Sequence, residues 1–404
     1  MSFLTSLPRR VIAIGGAIVL LLVAGIWITL THASAHASNA GQKSDPGATS
    51  RPSASATAAP LQLVSETPAA GTRGVNGVPS IKIQFSAPVA STSPLPTITP
   101  RLAGSWQGAG TSTLKFVPTA AFRQYTHVTV TIPGGSSGMK SAQGGLLNSS
   151  TSIRFRVGSY KDARLGQLLA QLDYLPLTWT ATAGATVPAA TDATGQLEAA
   201  YSPPAGSFTW KSGYPTELQS FWQSGAPSGL IMKGAVMAFE ADHGLAVDGV
   251  AGSQVWNALL RAVAAGQNNN HGYTYAIARE SNPETLTIWH NGQIVLHTLA
   301  NTGIQAAPTT VGTAPVYLRY YFQVMKGKNP DGTKYADPVY YVSYFRSGEA
   351  VHYFNRGSYG WPQSLGCVEL PLSDAKAAYP YLTYGSLVTV APGSLTPAGS
   401  PVAN

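Results

Sequence analysis

His352 and the chain's single cysteine, Cys367, are the side chains best suited to covalent chemistry. A thiol becomes a nucleophile when a base takes its proton and the surroundings favour the thiolate, and His352 is the nearest residue in sequence able to act as that base. The run between them ends in Ser364-Leu365-Gly366-Cys367. Gly366 leaves the backbone free to turn sharply. The N–H groups of Gly366 and Cys367 are therefore candidate donors to the oxyanion formed when a thiol attacks a carbonyl. The competing reading is an inert cysteine in a buried strand beside a satisfied core histidine.

His352, Ser364, Gly366, Cys367 and Val368, with Asn301-Thr302-Gly303-Ile304 and Pro308-Thr309-Thr310-Val311-Gly312-Thr313 upstream, resemble the signature of the L,D-transpeptidase (YkuD-like) catalytic domain. The resemblance covers roughly residues 273–390. It implies peptidoglycan chemistry through a cysteine acyl-enzyme. Cys367 would be the nucleophile toward the third residue of a tetrapeptide stem, and His352 the general base and then acid. Gly366 would be a backbone oxyanion donor, with Ser364 orienting the loop. An amine from a neighbouring stem would take the acyl group in a 3→3 cross-link. Tyr335, Tyr353 and Leu365 are the implied substrate contacts, and neither a metal nor another cofactor is implied.

Three departures bear on rate and substrate choice. Leu365 stands where the family usually has a second histidine. Glu369 replaces an Arg or Asn, placing a negative charge two residues from the nucleophile that would raise its pKa if it faced the sulfur. Tyr353 replaces a small residue. Two other functions stay open: an L,D-carboxypeptidase, in which water resolves the same acyl-enzyme, and a non-catalytic tethered wall-binding scaffold.

The positioning elements precede this pair. The chain has 404 residues, 44% apolar and 10% charged, with a net charge of +8 spread without a Lys/Arg block, which argues against nucleic acid as a partner. Arg9-Arg10 precede an uncharged apolar run, Val11 to Leu30. About twenty such residues span the hydrocarbon core of a bilayer. Residues 11–31 are expected to anchor the chain in the cell membrane, with residues 1–10 cytoplasmic and the C-terminal bulk outside. Cleavage of a signal peptide near Ala37 is the alternative. A single cysteine excludes an intrachain disulfide, and in an exported domain an unpaired thiol calls for a chemical reason.

Residues 32–60, rich in Ala, Ser, Thr, Gly and Pro, are expected to be a flexible tether. Residues 61–160 carry short alternating runs such as Ile81-Lys82-Ile83-Gln84-Phe85 and His127-Val128-Thr129-Val130-Thr131-Ile132, predicting a β-sandwich that resembles bacterial Ig-like modules. Residues 161–265 turn helical: Leu165, Leu168, Leu169 and Leu172 recur at helical spacing. This segment, 161–265, resembles a peptidoglycan-binding helical domain, most clearly over the string from Phe239 to Leu260, with Asp248 a turn residue and Thr178 to Pro215 a Thr/Ala/Pro-rich insertion.

Residues 271–393 are expected to form the mainly-β catalytic domain, with a hairpin at His290-Asn291-Gly292, a candidate lid at Lys326 to Pro338, and structural roles for His290 and His297. Residues 394–404 are a tail. The fold class is thus multidomain: a transmembrane helix, an Ig-like sandwich, a small helical domain and a mainly-β domain. The expected partners are peptidoglycan stem peptides and glycan, and the membrane.

Overall fold

The computed structural model describes residues 58–223 and 229–393. The expected anchor, the cleavage site, most of the tether and the tail lie outside them. Among the described residues no helix is long and apolar enough to cross a membrane.

Alternation builds the first layer pair. In the strand Ile81–Phe85, residues 81, 83 and 85 are buried and Lys82 and Gln84 exposed, as period two demands of a strand with one covered face. This strand lies in a four-stranded sheet with Leu63–Thr67, Thr113–Pro118 and Gly104–Gln107. A second sheet joins Arg73–Val75, Thr151–Val157, His127–Ile132 and Thr97–Thr99. The inner faces close over Ile83, Leu114, Val130 and Ile153.

The helix Asp162–Gln171 buries Leu165, Leu168 and Leu169, and Leu172 at its C-cap is also buried. The helices Leu230–Asp242 and Ser253–Ala265 follow, joined by a loop that Glu240 holds by accepting the N–H groups of Asp248 (3.0 Å) and Gly249 (2.8 Å). Asp248 takes the expected turn role, accepting from Val250 N. The stretch from Thr178 to Pro215 is ordered, with a hairpin of Leu177–Ala181 and Gly206–Trp210 flanking the helix Ala193–Tyr201. Its Thr, Ala and Pro residues hide the pattern because the pairing strand faces are only half-buried.

The last domain has two sheets. One orders its strands Gln293–Leu299, Thr285–His290, Thr274–Glu280, Leu387–Pro392 and Gly312–Pro315. Its expected hairpin is present, with Asn291 and Gly292 both at positive φ between the paired His290 and Gln293. The other sheet orders Leu318–Lys328, Lys334–Arg346, Glu349–Tyr353 and Val368–Leu370. The segment expected as a lid is the outer end of the hairpin made by its first two strands, with Gly327 opposite Tyr335 and Lys328 opposite Lys334.

This domain is welded to the helices by close backbone approach. A Cβ on Gly234 would lie 2.5 Å from the Gly385 carbonyl oxygen, and one on Gly213 or Gly292 would strike the backbone of the other segment. Only glycine permits such contact.

Candidate active site

His352 and Cys367 are brought together by a parallel pair of strands. Glu349–Tyr353 runs beside Val368–Leu370 with His352 opposite Glu369, so the residue just before the second strand, Cys367, comes back beside the first. The link between them is sewn to Asn301-Thr302-Gly303-Ile304. Asn301 exchanges backbone hydrogen bonds with Glu369, Ser364 N donates to Thr302 O, and Ile304 N donates to Ser364 O, all at 2.9–3.0 Å. Thr302 is in turn held by the buried Glu284, which accepts from its backbone N–H (2.6 Å) and its hydroxyl (2.7 Å). The upstream motif is thus the floor on which the thiol loop rests.

At the turn itself Gly366 has φ +111°, in the region that disfavours any side chain. Ser364 Oγ donates to Cys367 O (2.6 Å) and accepts from Gly366 N (3.1 Å). Ser364 therefore sits where loop orientation requires. The same bond corrects the reading of Gly366. Its N–H faces the Ser364 hydroxyl inside the turn, which leaves Cys367 N–H as the candidate oxyanion donor of the pair.

His352 is 2% exposed, and its Nδ1 lies 2.9 Å from Tyr353 O. A carbonyl can only accept, so Nδ1 carries the proton and Nε2 keeps the lone pair. Burial holds the imidazole below its ordinary pKa, opposed by the Tyr353 carbonyl and by Glu369. Cys367 is partly buried and opens onto the same cleft as His352, a space of about 240 Å³. Burial pushes its thiol up to about 12; the Ala350 N–H works the other way, and Glu369 and Glu349 add to the rise. The two groups therefore rest as neutral thiol and neutral imidazole. From such a resting state, deprotonation would accompany any attack by the sulfur rather than precede it.

Glu369 does not stand bare beside the sulfur. Arg356, which the sequence reading passed over, grips it with two bonds, Nε to Oε2 and Nη2 to Oε1, both 2.8 Å. Its Nη2 also donates to Gln363 O (2.9 Å), and its guanidinium lies over the Phe354 ring at 4.6 Å. One side chain thus returns a positive charge to the site and pins both ends of the loop between base and nucleophile. Its signal in the sequence was an arginine beyond the base strand paired with the unexpected Glu369, and only the fold shows the two meeting.

Tyr335 and Leu365 line the cleft, together with Asp337 and Met325 of the long hairpin. The Tyr335 phenol is pushed up by burial, then by Cys367 and Asp337. Tyr353 is corrected: neighbours on a strand point to opposite sides, and with His352 facing the cleft Tyr353 packs against the core that holds Val351 and Leu370. His290 and His297 hydrogen-bond Thr274 and Thr287 on the neighbouring strands.

Three family models match, in chain order. Residues 56–157 match a bacterial Ig-like domain, 224–259 a peptidoglycan binding domain, and 274–390 the L,D-transpeptidase catalytic domain. No curated protein matches the chain. Among solved structures, an L,D-transpeptidase from Mycobacterium smegmatis is similar at 13% identity, over 82% of this chain and 99% of that one, with a TM-score of 0.27. L,D-transpeptidase 3 from Mycobacterium tuberculosis is similar at 14% identity, over 81% and 98%, with a TM-score of 0.27. The catalytic domain of the E. faecium L,D-transpeptidase is similar at 26% identity, over 30% and 99%, with a TM-score of 0.27.

Proposed function

We propose that this chain, in which an L,D-transpeptidase catalytic domain follows an Ig-like and a peptidoglycan binding domain, forms 3→3 cross-links in peptidoglycan through an acyl-enzyme on Cys367. The observation that carries the proposal is the shared cleft of a partly buried thiol and an imidazole whose protonated Nδ1 leaves Nε2 as acceptor.

His352 Nε2 takes the thiol proton as sulfur bonds to the carbonyl carbon of the third stem residue, and Cys367 N–H donates to the oxyanion. Collapse breaks the peptide bond. His352 returns the proton to the departing D-alanine amine, leaving a thioester. An amine of a neighbouring stem then attacks the thioester. Its proton passes through His352 to the leaving sulfur, which restores the thiol. Arg356 acts on this sequence as a positioning residue: it neutralises Glu369 and fixes the loop that carries Cys367.

Residues 11–31 anchor the chain in the cell membrane in this proposal. The Ig-like and helical domains then hold the thiol in the cell-wall zone, where tethering raises the effective concentration of substrate.

The test is incubation of the chain without its first 57 residues with a disaccharide-tetrapeptide, products being read by mass beside Cys367→Ala and His352→Ala. A 3→3 dimer from the wild-type sequence, absent from both variants, is expected. Release of D-alanine without dimer would reassign the chain as a carboxypeptidase. Absence of both product and covalent adduct would leave only a scaffold.

A further inference from the structure

The seam between the Ig-like sandwich and the helices holds a second cleft, of about 320 Å³, to which the catalytic domain contributes no residue. That volume falls within the range of small-molecule sites, about 300–1,000 Å³. Arg123, between the sandwich strands Thr113–Pro118 and His127–Ile132, and Arg261, on the helix Ser253–Ala265, supply its charge. Leu197 and Leu260 supply its apolar wall, and no carboxylate lines it. Two acids adjoin lining residues in sequence: Asp192 is turned to its own helix, accepting from Gly195 N at 2.9 Å, and Glu198 is exposed and does not line the cleft.

A third guanidinium lies behind the wall. Gln196, which lines the cleft, accepts from Arg164 Nη2 at 2.8 Å. Arg164 is only 1% exposed; its other hydrogen bond goes to Gln167, and its Nε has no partner. The four ion pairs among the described residues involve none of these three arginines. Burying a cation without an acid is costly, and an anion in the cleft would offset it.

The seam is also preformed. Tyr201 Oη donates to Phe122 O at 2.9 Å, Tyr160 packs edge-on against both Tyr201 and Trp256, and Arg123 donates to Asn257 across the two domains. A ligand would find its walls already in place, with little ordering cost.

We propose that this cleft is a second binding site, for a peptide end that carries a free carboxylate beside a small apolar side chain. Guanidinium groups match a carboxylate with paired N–H donors, and the leucine wall takes the neighbouring methyl. The source of that peptide, the end of a stem in the wall, rests on the function proposed above; the site itself does not. It would hold one stem end at the helical domain while a different stem reacts at Cys367.

The experiment titrates the same residue 58–404 chain carrying Cys367→Ala, chosen to remove the proposed turnover, with N-acetyl-D-alanyl-D-alanine, with its C-terminal amide, and with inorganic phosphate. Calorimetry gives affinity and amide NMR gives location. The expected result is saturable binding of the acid with shifts around Asn257 and Arg261, at least about tenfold weaker binding of the amide and of Arg261→Gln and Arg123→Gln, and partial recovery in Arg261→Lys. Equal affinity for acid and amide, indifference to both arginine variants, or shifts confined to the Cys367 cleft would overturn the proposal. Phosphate binding as tightly as the peptide and displacing it would overturn the peptide reading in favour of a plain anion site. Acyl transfer by the wild-type sequence, measured alongside, keeps the two proposals apart: its failure with binding intact leaves this site standing, and failed binding with transfer intact sinks this site alone.

Discussion

Removing Arg356 would strand the Glu369 carboxylate in a place where that residue is only 4% exposed. Breaking a buried pair from one side typically costs about 3–5 kcal/mol. Arg356→Gln should therefore lower the urea midpoint by the equivalent of about 3 kcal/mol, and adding Glu369→Gln should recover most of it, because the uncompensated charge is then gone. If the double variant is as unstable as the single one, the pair acts only through packing. The resting protonation states make a second prediction. A thiol pushed to about 12 reacts slowly with iodoacetamide at neutral pH, and the labelling rate should keep rising with pH beyond 8.5, where an ordinary thiol levels off. Burial lowers the His352 pKa, and only neutral imidazole accepts a proton. Activity should thus persist as pH falls to 6.5 and be lost below it, as kcat/KM against pH would show. These residues were unevenly legible. Cys367, His352 and Ser364 announce themselves because their spacing is local, whereas Arg356 matters through a partner thirteen residues away on another segment, and Gly366 was misjudged because the Ser364 hydroxyl that takes its N–H cannot be oriented from sequence.

Among the elements, the loop between Leu230–Asp242 and Ser253–Ala265 carries its own pH dependence. Burial, the largest influence, raises Glu240 to about 7, although it accepts two backbone N–H groups. A carboxyl raised in the folded state favours folding when protonated. Its contribution is fully present below the unfolded value near 4.5 and is lost as pH climbs through 7. Glu240→Gln keeps the accepting oxygen and removes the titration. The urea midpoint of the parent should fall more than that of the variant between pH 4.5 and 8, and parallel falls would discard the assignment. The elements themselves were readable where burial is periodic: His127–Ile132 lies where alternation put it, and the helix Asp162–Gln171 where leucine spacing did. The strands Arg73–Val75 and Thr97–Thr99 escaped because three residues cannot display a period.

Across the molecule, the described residues fall in one compact unit, and the glycine contacts at Gly234/Gly385 and Gly213/Gly292 join the helical segment to the catalytic domain by direct backbone approach. Domain order was legible from composition shifts; this fusion was not, because it depends on missing side chains in segments far apart in sequence. Gly234→Val would force the Gly385 carbonyl away, and limited proteolysis should then cut near residues 266–272, which resist it in the parent. Equal resistance would show that the contact is dispensable. The parent should also tumble as one particle, with a single rotational correlation time for dyes at either end. Such a body behaves as a calliper. The separation between the thiol and the arginine-lined cleft is fixed by backbone against backbone, so two wall strands engaged at both jaws would be set at one spacing, and pore size in the mesh would follow from glycine.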